Sequence, residues 1–74
     1  MNKATVVNVE NESDVFLVTQ AGTLMNCAPE YSTYLRKGYY YVNTDLEPPQ
    51  REWMGPYDTA SLARKFLNME RAYA

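Results

Sequence analysis

From Asp58 onward the apolar side chains change their spacing. Leu62, Phe66, Met69 and Tyr73 recur at intervals of four, three and four, with Ala63 and Leu67 beside them and Arg64, Lys65, Asn68, Glu70 and Arg71 on the other side. That period makes a helix with one apolar face, and such a face has to be covered by another layer of the same fold. Asp58, with Ser61 three residues on, is placed to accept the first unpaired amides. The helix is therefore expected from Thr59 to about Arg71, roughly 20 Å long, and packed through Leu62, Phe66 and Met69.

What precedes it reads mostly as short strands. Val6, Val7 and Val9 are β-branched and interleaved with Thr5 and Asn8, which predicts a strand from Ala4 to Glu10. Asn11-Glu12-Ser13-Asp14 then turns the chain. The run Val15-Phe16-Leu17-Val18-Thr19 is apolar on both faces, as expected of a strand covered on each side or meeting another chain. Ala21-Gly22 offers a tight turn with positive φ, and Thr23–Asn26 a third short strand. Tyr39-Tyr40-Tyr41-Val42 is a further strand with two tyrosines facing one way and one the other. After the Pro48-Pro49 loop, Gln50 to Met54 returns antiparallel to it, and Gly55-Pro56-Tyr57 ends that strand.

One further helix is expected. Pro29 suits a first helical position, Glu30 suits the positive end of the dipole, and Tyr31, Tyr34 and Leu35 stack at i, i+3 and i+4. Arg36 and Lys37 fall in its last turn, and Gly38 supplies a left-handed stop. The fold class read from these segments is α+β: an antiparallel sheet of four to five strands, one short helix, and a C-terminal amphipathic helix on one face. With 74 residues there is room for one core, so residues 1–74 read as a single domain.

Composition narrows the chemistry. The chain has no His, which removes the commonest general base and metal ligand, and one Cys, which leaves no intrachain disulfide. Cys27 reads as a small apolar residue and not as a nucleophile, since no His activates it. Asp45, Glu47 and Glu52 lack the spacing of a calcium loop, and Gly22, Gly38 and Gly55 are too scattered to cradle phosphate. No catalytic residue, metal or cofactor is expected. A net charge of -2 provides no field to attract nucleic acid and is too weak to imitate it. Met1-Asn2-Lys3 runs directly into an alternation broken by Asn8, Glu10, Glu12 and Asp14, so neither a signal peptide nor a membrane span is expected. Cytoplasm is the compartment that fits, and there Asn11-Glu12-Ser13 serves as turn residues and not as a glycosylation acceptor.

Seven Tyr and one Trp are a heavy aromatic load for this length. Rigid rings with polar tips bring large contact area at small entropic cost. The expected binding surface is accordingly the tyrosine strand and the adjoining loop: Tyr40, Tyr41, Trp53 and Arg51, with Asp45 and Glu47 as rim charges. A sheet of this kind interleaved with Arg36, Lys37 and Arg51 is also how single-stranded nucleic acid is stacked, and that is the alternative. Self-association into a homodimer or accessory subunit is the third reading, since so small a chain hides only about 60% of its unfolded surface.

The join Trp53-Met54-Gly55-Pro56-Tyr57-Asp58-Thr59 resembles one common in small phage and bacterial proteins, where a strand ends in Gly-Pro-aromatic and a polar residue caps the next helix. The whole chain is similar in general character to phage-encoded accessory proteins that inhibit bacterial systems, anti-CRISPR proteins among them. The resemblance implies a non-catalytic module that blocks a larger host complex by stoichiometric binding. No functional residue carries over from it.

Overall fold

The computed structural model describes residues 2–24 and 33–73. Strands β1 (Thr5–Asn8) and β2 (Val15–Gln20) are followed by β3 (Gly22–Leu24), β4 (Thr33–Leu35) and β5 (Gly38–Val42). A 3-10 turn at Pro48–Gln50 leads to β6 (Trp53–Tyr57), and α1 (Ala60–Tyr73) closes the order. The architecture is α+β: a four-stranded antiparallel sheet in the order β1-β2-β5-β6, and a two-stranded sheet of β3 and β4.

The expected first hairpin forms. Asn11 takes φ 63, a left-handed turn conformation that Asn tolerates. The Asn8 Nδ2 amide donates to the carbonyls of Glu12 and Val15, 3.0 Å each, and so holds the loop closed. The register places Val7 beside Leu17 and Asn8 beside Phe16. β2 is the apolar central strand that its composition requires, with Val15 and Val18 fully buried. It sets Val15 beside Tyr41, Phe16 beside Tyr40 and Leu17 beside Tyr39. Alternation then sends Val15, Tyr39 and Tyr41 to one face and Phe16, Val18 and Tyr40 to the other. On the first face α1 packs across β5, β2 and β6. On the second, Val18, Tyr40 and Leu35 of β4 form a cluster with Ala4, Val6, Leu24 and Trp53 around it, so the small sheet is the lid of that side.

The expected helix over Pro29–Lys37 is overturned at its described end, where Thr33–Leu35 is strand β4, paired antiparallel with β3. Residues 25–32, including Cys27, lie outside the described residues. β-Branched Thr33 and aromatic Tyr34 favour the pleated surface, and Leu35, only 2% exposed, is buried by that pairing. Gly38 has φ 142, but it opens β5 and does not stop a helix. Gly22, unlike Gly38, lacks the positive φ expected of a tight turn. It is instead a point of close approach, where an added Cβ would lie 2.5 Å from the Lys3 carbonyl carbon. Residues 2–4 run there beside β3, with the Thr23 amide donating to Asn2 O at 3.0 Å.

Gly55 and Pro56 do not end the last strand but form a bulge inside it. β6 pairs Trp53 with Val42, Met54 with Tyr41 and Tyr57 with Tyr39, so two residues of β6 stand against Tyr40 alone. One extra residue reverses the alternation beyond it, and Tyr57 thereby faces α1. Gly55 has φ 151, and a Cβ there would lie 2.7 Å from Tyr39 O. Both the conformation and the space exclude a side chain.

The C-terminal helix forms as expected but is capped and turned differently. Thr59, not Asp58, accepts the Leu62 amide on its hydroxyl at 3.1 Å. The fully buried residues of α1 are Ala63 and Leu67. Leu62 is half-buried, Phe66 is 37% exposed, Met69 45% and Tyr73 87%, so the expected core stripe lies on the flank.

Candidate functional site

The reason for the turn of α1 is a set of charges that the spacing alone puts on its outer side. Arg64 pairs with Glu12, and Arg71 donates to Asp14 Oδ2 at 2.6 Å. The Glu70 carboxylate accepts from the Tyr41 hydroxyl at 3.1 Å and from Asn43 Nδ2 at 2.6 Å. Thr44 Oγ1 donates to Asp14 Oδ1 at 2.9 Å. Asp14 is 8% exposed and Asn43 2%, so these groups need partners once out of water. Burial pushes the Asp14 carboxyl up, but hydrogen bonds from Arg71 and Thr44, with the positive charge of Arg71 and Arg64, outweigh it and hold it below its ordinary value. Burial, then the Glu70 hydrogen bond and charge, push the Tyr41 hydroxyl up to about 12. The hydrogen bond to Asp14 raises Arg71 despite the opposing effect of its burial. Every carboxylate in this clasp has a donor, and the described residues contain no cluster able to hold a metal.

This clasp absorbs part of the surface expected to bind. Tyr41 is 4% exposed, its ring stacked 6.1 Å from Tyr57, which stacks 5.0 Å from Phe66. Asp45 Oδ2 sits 2.7 Å from Arg71 Nε, an ion pair by distance in which the N–H is not aligned for a hydrogen bond. Arg51 braces the Pro-rich loop, donating to Leu46 O at 3.0 Å and Thr44 O at 3.1 Å. Glu47 is exposed at the start of the 3-10 turn, where its carbonyl accepts from Gln50 at 2.8 Å. The sequence leads one to expect an outward-facing tyrosine at Tyr40 or Tyr41; neither is outward, because both faces of the sheet are covered.

The remaining two expected residues, Tyr40 and Trp53, meet on the opposite side of the sheet in a cleft of about 330 Å³. Its walls are Thr33, Tyr34, Leu35 and Arg36 from β4 and its end, Tyr40 from β5, and Trp53, Gly55 and Pro56 from β6. The Trp53 ring lies edge-on to Tyr40, centroids 6.2 Å apart, and 5.0 Å from Phe16, which fixes its plane. The Tyr40 hydroxyl accepts the Arg36 amide at 3.0 Å, leaving its own hydrogen to donate. Bare Gly55 lets the Tyr40 ring approach the backbone, since a Cβ would come within 2.9 Å of it. Tyr34 is 65% exposed at the rim, and the exposed Arg36 has no carboxylate partner among the described residues.

Tyr34 and Pro56 are cleft residues that the sequence does not single out, and Arg36 enters there only in the nucleic-acid alternative. Pro29 and Glu30 argue for a helix that takes in Tyr34 and Arg36, and Gly55-Pro56 argues for a turn. The Thr-aromatic-Leu triplet at residues 33–35 is the local signal for a strand. Comparison with family models, curated proteins and solved structures finds no match to this chain. No described helix is long and apolar enough to cross a membrane.

Proposed function

We propose that the chain is a non-catalytic protein-binding module whose β4–β6 cleft takes an extended segment of a partner protein. The observation that carries this is the convergence of exposed Tyr34, half-buried Trp53 and exposed Pro56 around one cleft whose floor is buried Tyr40 and whose lining includes Arg36. Aromatic walls of this kind pack against proline rings of an already extended peptide, which loses little entropy on binding. Arg36, with Lys37 next to it, favours a segment that also carries carboxylates. A cleft of this volume stands at the small end of ligand sites, which suits a few residues of peptide better than a large cofactor.

The more specific form of this reading is a phage or mobile-element protein that inhibits a bacterial defence complex stoichiometrically in the host cytoplasm, where a lone Cys27 stays reduced. What supports it is the general likeness of a short, acidic, Tyr-rich chain without His to such inhibitors. Stacking of single-stranded nucleic acid is disfavoured because Tyr40 and Tyr41 are buried and offer no open platform.

Trp53 is the only tryptophan, so its emission reports occupancy of the cleft. Titration with proline-containing acidic peptides should shift that emission, and Tyr34→Ala and Arg36→Glu should each weaken binding at least tenfold with unchanged melting temperature. A labelled single-stranded oligonucleotide is the control. If it shifts the emission and the peptides do not, or if both variants bind the peptides at full affinity, this function is not the right one.

A further inference from the structure

The two-stranded sheet ends in an edge that faces the cleft. Thr23 bonds toward the N-terminal segment on both of its backbone groups: its amide donates to Asn2 O and its carbonyl accepts from the Ala4 amide, 3.0 Å each. Bonding direction alternates along a strand, so Gly22 and Leu24 turn their groups to β4, where they stand beside Leu35 and Thr33. Tyr34, opposite Thr23, therefore directs its N–H and C=O away from β3. Among the described residues β4 has no second strand beside it. Two residues on, the Arg36 amide keeps the same direction and donates to the Tyr40 hydroxyl at 3.0 Å. The edge thus points across the floor of the β4–β6 cleft.

Resting on the protein-binding reading above, we infer that the partner segment binds as a strand added antiparallel to β4, one non-proline residue exchanging two hydrogen bonds with the Tyr34 backbone. Tyr34 is the outward-bonding residue of this three-residue strand. In the antiparallel arrangement one ligand residue satisfies both of its groups, whereas a parallel segment needs two. Strand edges of this kind are where extended peptides add.

Alternation then sets what the segment carries. Leu35, 2% exposed, faces the cluster of Val18 and Tyr40, whereas Tyr34, 65% exposed, lies on the outer face with Arg36. The ligand residue opposite Tyr34 has its side chain outward and must bring an amide N–H, which excludes proline there. The residue before it points inward over Leu35 toward Tyr40 and Trp53, with its N–H directed away from β4, and in that position proline loses no bond. One residue earlier, the segment stands opposite Arg36, which has no carboxylate partner among the described residues. Opposite charges favour an acidic residue at that place. The recognised order is acid, proline, non-proline.

The probe is acetyl-Glu-Pro-Val-Ser amide, titrated into the full chain and read by Trp53 emission. N-methylation of its Val should weaken binding about tenfold or more, and N-methylation of its Ser, whose N–H points away from β4, by less than about twofold. Exchanging Glu and Val, which removes the acid from Arg36, should also weaken it. In the free chain the Tyr34 amide should exchange with solvent fast and the Leu35 amide slowly, and the peptide should slow Tyr34. Peptides that bind with equal effects of the two N-methyl groups overturn strand addition and leave binding in the cleft standing. A Tyr34 amide already protected without peptide also overturns it, and protection that grows with protein concentration identifies a second copy on that edge instead. Failure of every peptide to bind removes this inference together with the reading it rests on.

Discussion

The two faces of the four-stranded sheet are closed by different physics, although adjacent tyrosines of one strand serve both. On the helix side, Tyr41 reaches a buried polar clasp in which Glu70, Arg71, Asp14 and Asn43 satisfy one another. On the other side, Tyr40 enters an apolar cluster with Val18 and Leu35, and its hydroxyl needs only the Arg36 amide. Charged groups demand specific geometry, so the clasp fixes the rotation of α1. Apolar contact is less directional, and there the two-stranded lid leaves a cleft at its margin. The charged side is closed; the side that keeps a cleft is the one sealed by aromatic and aliphatic contact.

The contrast can be broken from the helix side. Leu67→Ala removes one of two fully buried residues of α1 and should cost about 2–5 kcal/mol, seen as a large drop in the midpoint of urea unfolding. Since Phe66 is at the margin, Phe66→Ala should cost clearly less, and the reverse order would mean that α1 is rotated from the position described.

Arg71→Leu comes next. It leaves Asp14, held mostly out of water, without its cation, which should cost about 2 kcal/mol. Asp14 is held below its ordinary 3.8 in the fold, so its contribution is present above the unfolded value and lost as pH falls through the folded one. In the variant the stability difference from the parent should shrink on acidification. A constant difference from pH 7 to the acid transition would show that the pair contributes no pH dependence.

An effect of similar size tests the Tyr41 end of the clasp. Tyr41 is raised from 10.0 to about 12, so the folded protein keeps a proton that the unfolded chain has lost. Stability contributed by the neutral hydroxyl is complete below pH 10 and falls as pH rises toward 12, by on the order of 2 kcal/mol. Tyr41→Phe should flatten that fall in a urea-midpoint series against pH. A fall unchanged in the Tyr41→Phe series would mean that this hydroxyl does not carry the pH dependence.

Much of the fold is legible in the sequence because it rests on local chemistry. The β-branched run of β1, the Asn11 turn, the doubly apolar β2 and the period of α1 all show in neighbouring residues. The bulge is not legible: Gly55-Pro56 looks like a stop until Tyr40 is seen opposite both. Of the candidate site, Tyr40 and Trp53 follow from aromatic content alone, whereas Tyr34 and Arg36 become neighbours only through β4 pairing with β3.

What the sequence determined by itself is the α+β class, the existence and period of the C-terminal helix, and the alternation of the three tyrosines, since each follows from backbone geometry and spacing within one segment. Only the tertiary structure decided which flank of that helix is buried. The spacing favours Leu62, Phe66 and Met69 over Arg64, Glu70 and Arg71, and both stripes are helical. Asp14, Asn43 and the Tyr41 hydroxyl, buried by strands distant in the chain, could not be left without partners, and that long-range requirement outweighed the local apolar stripe.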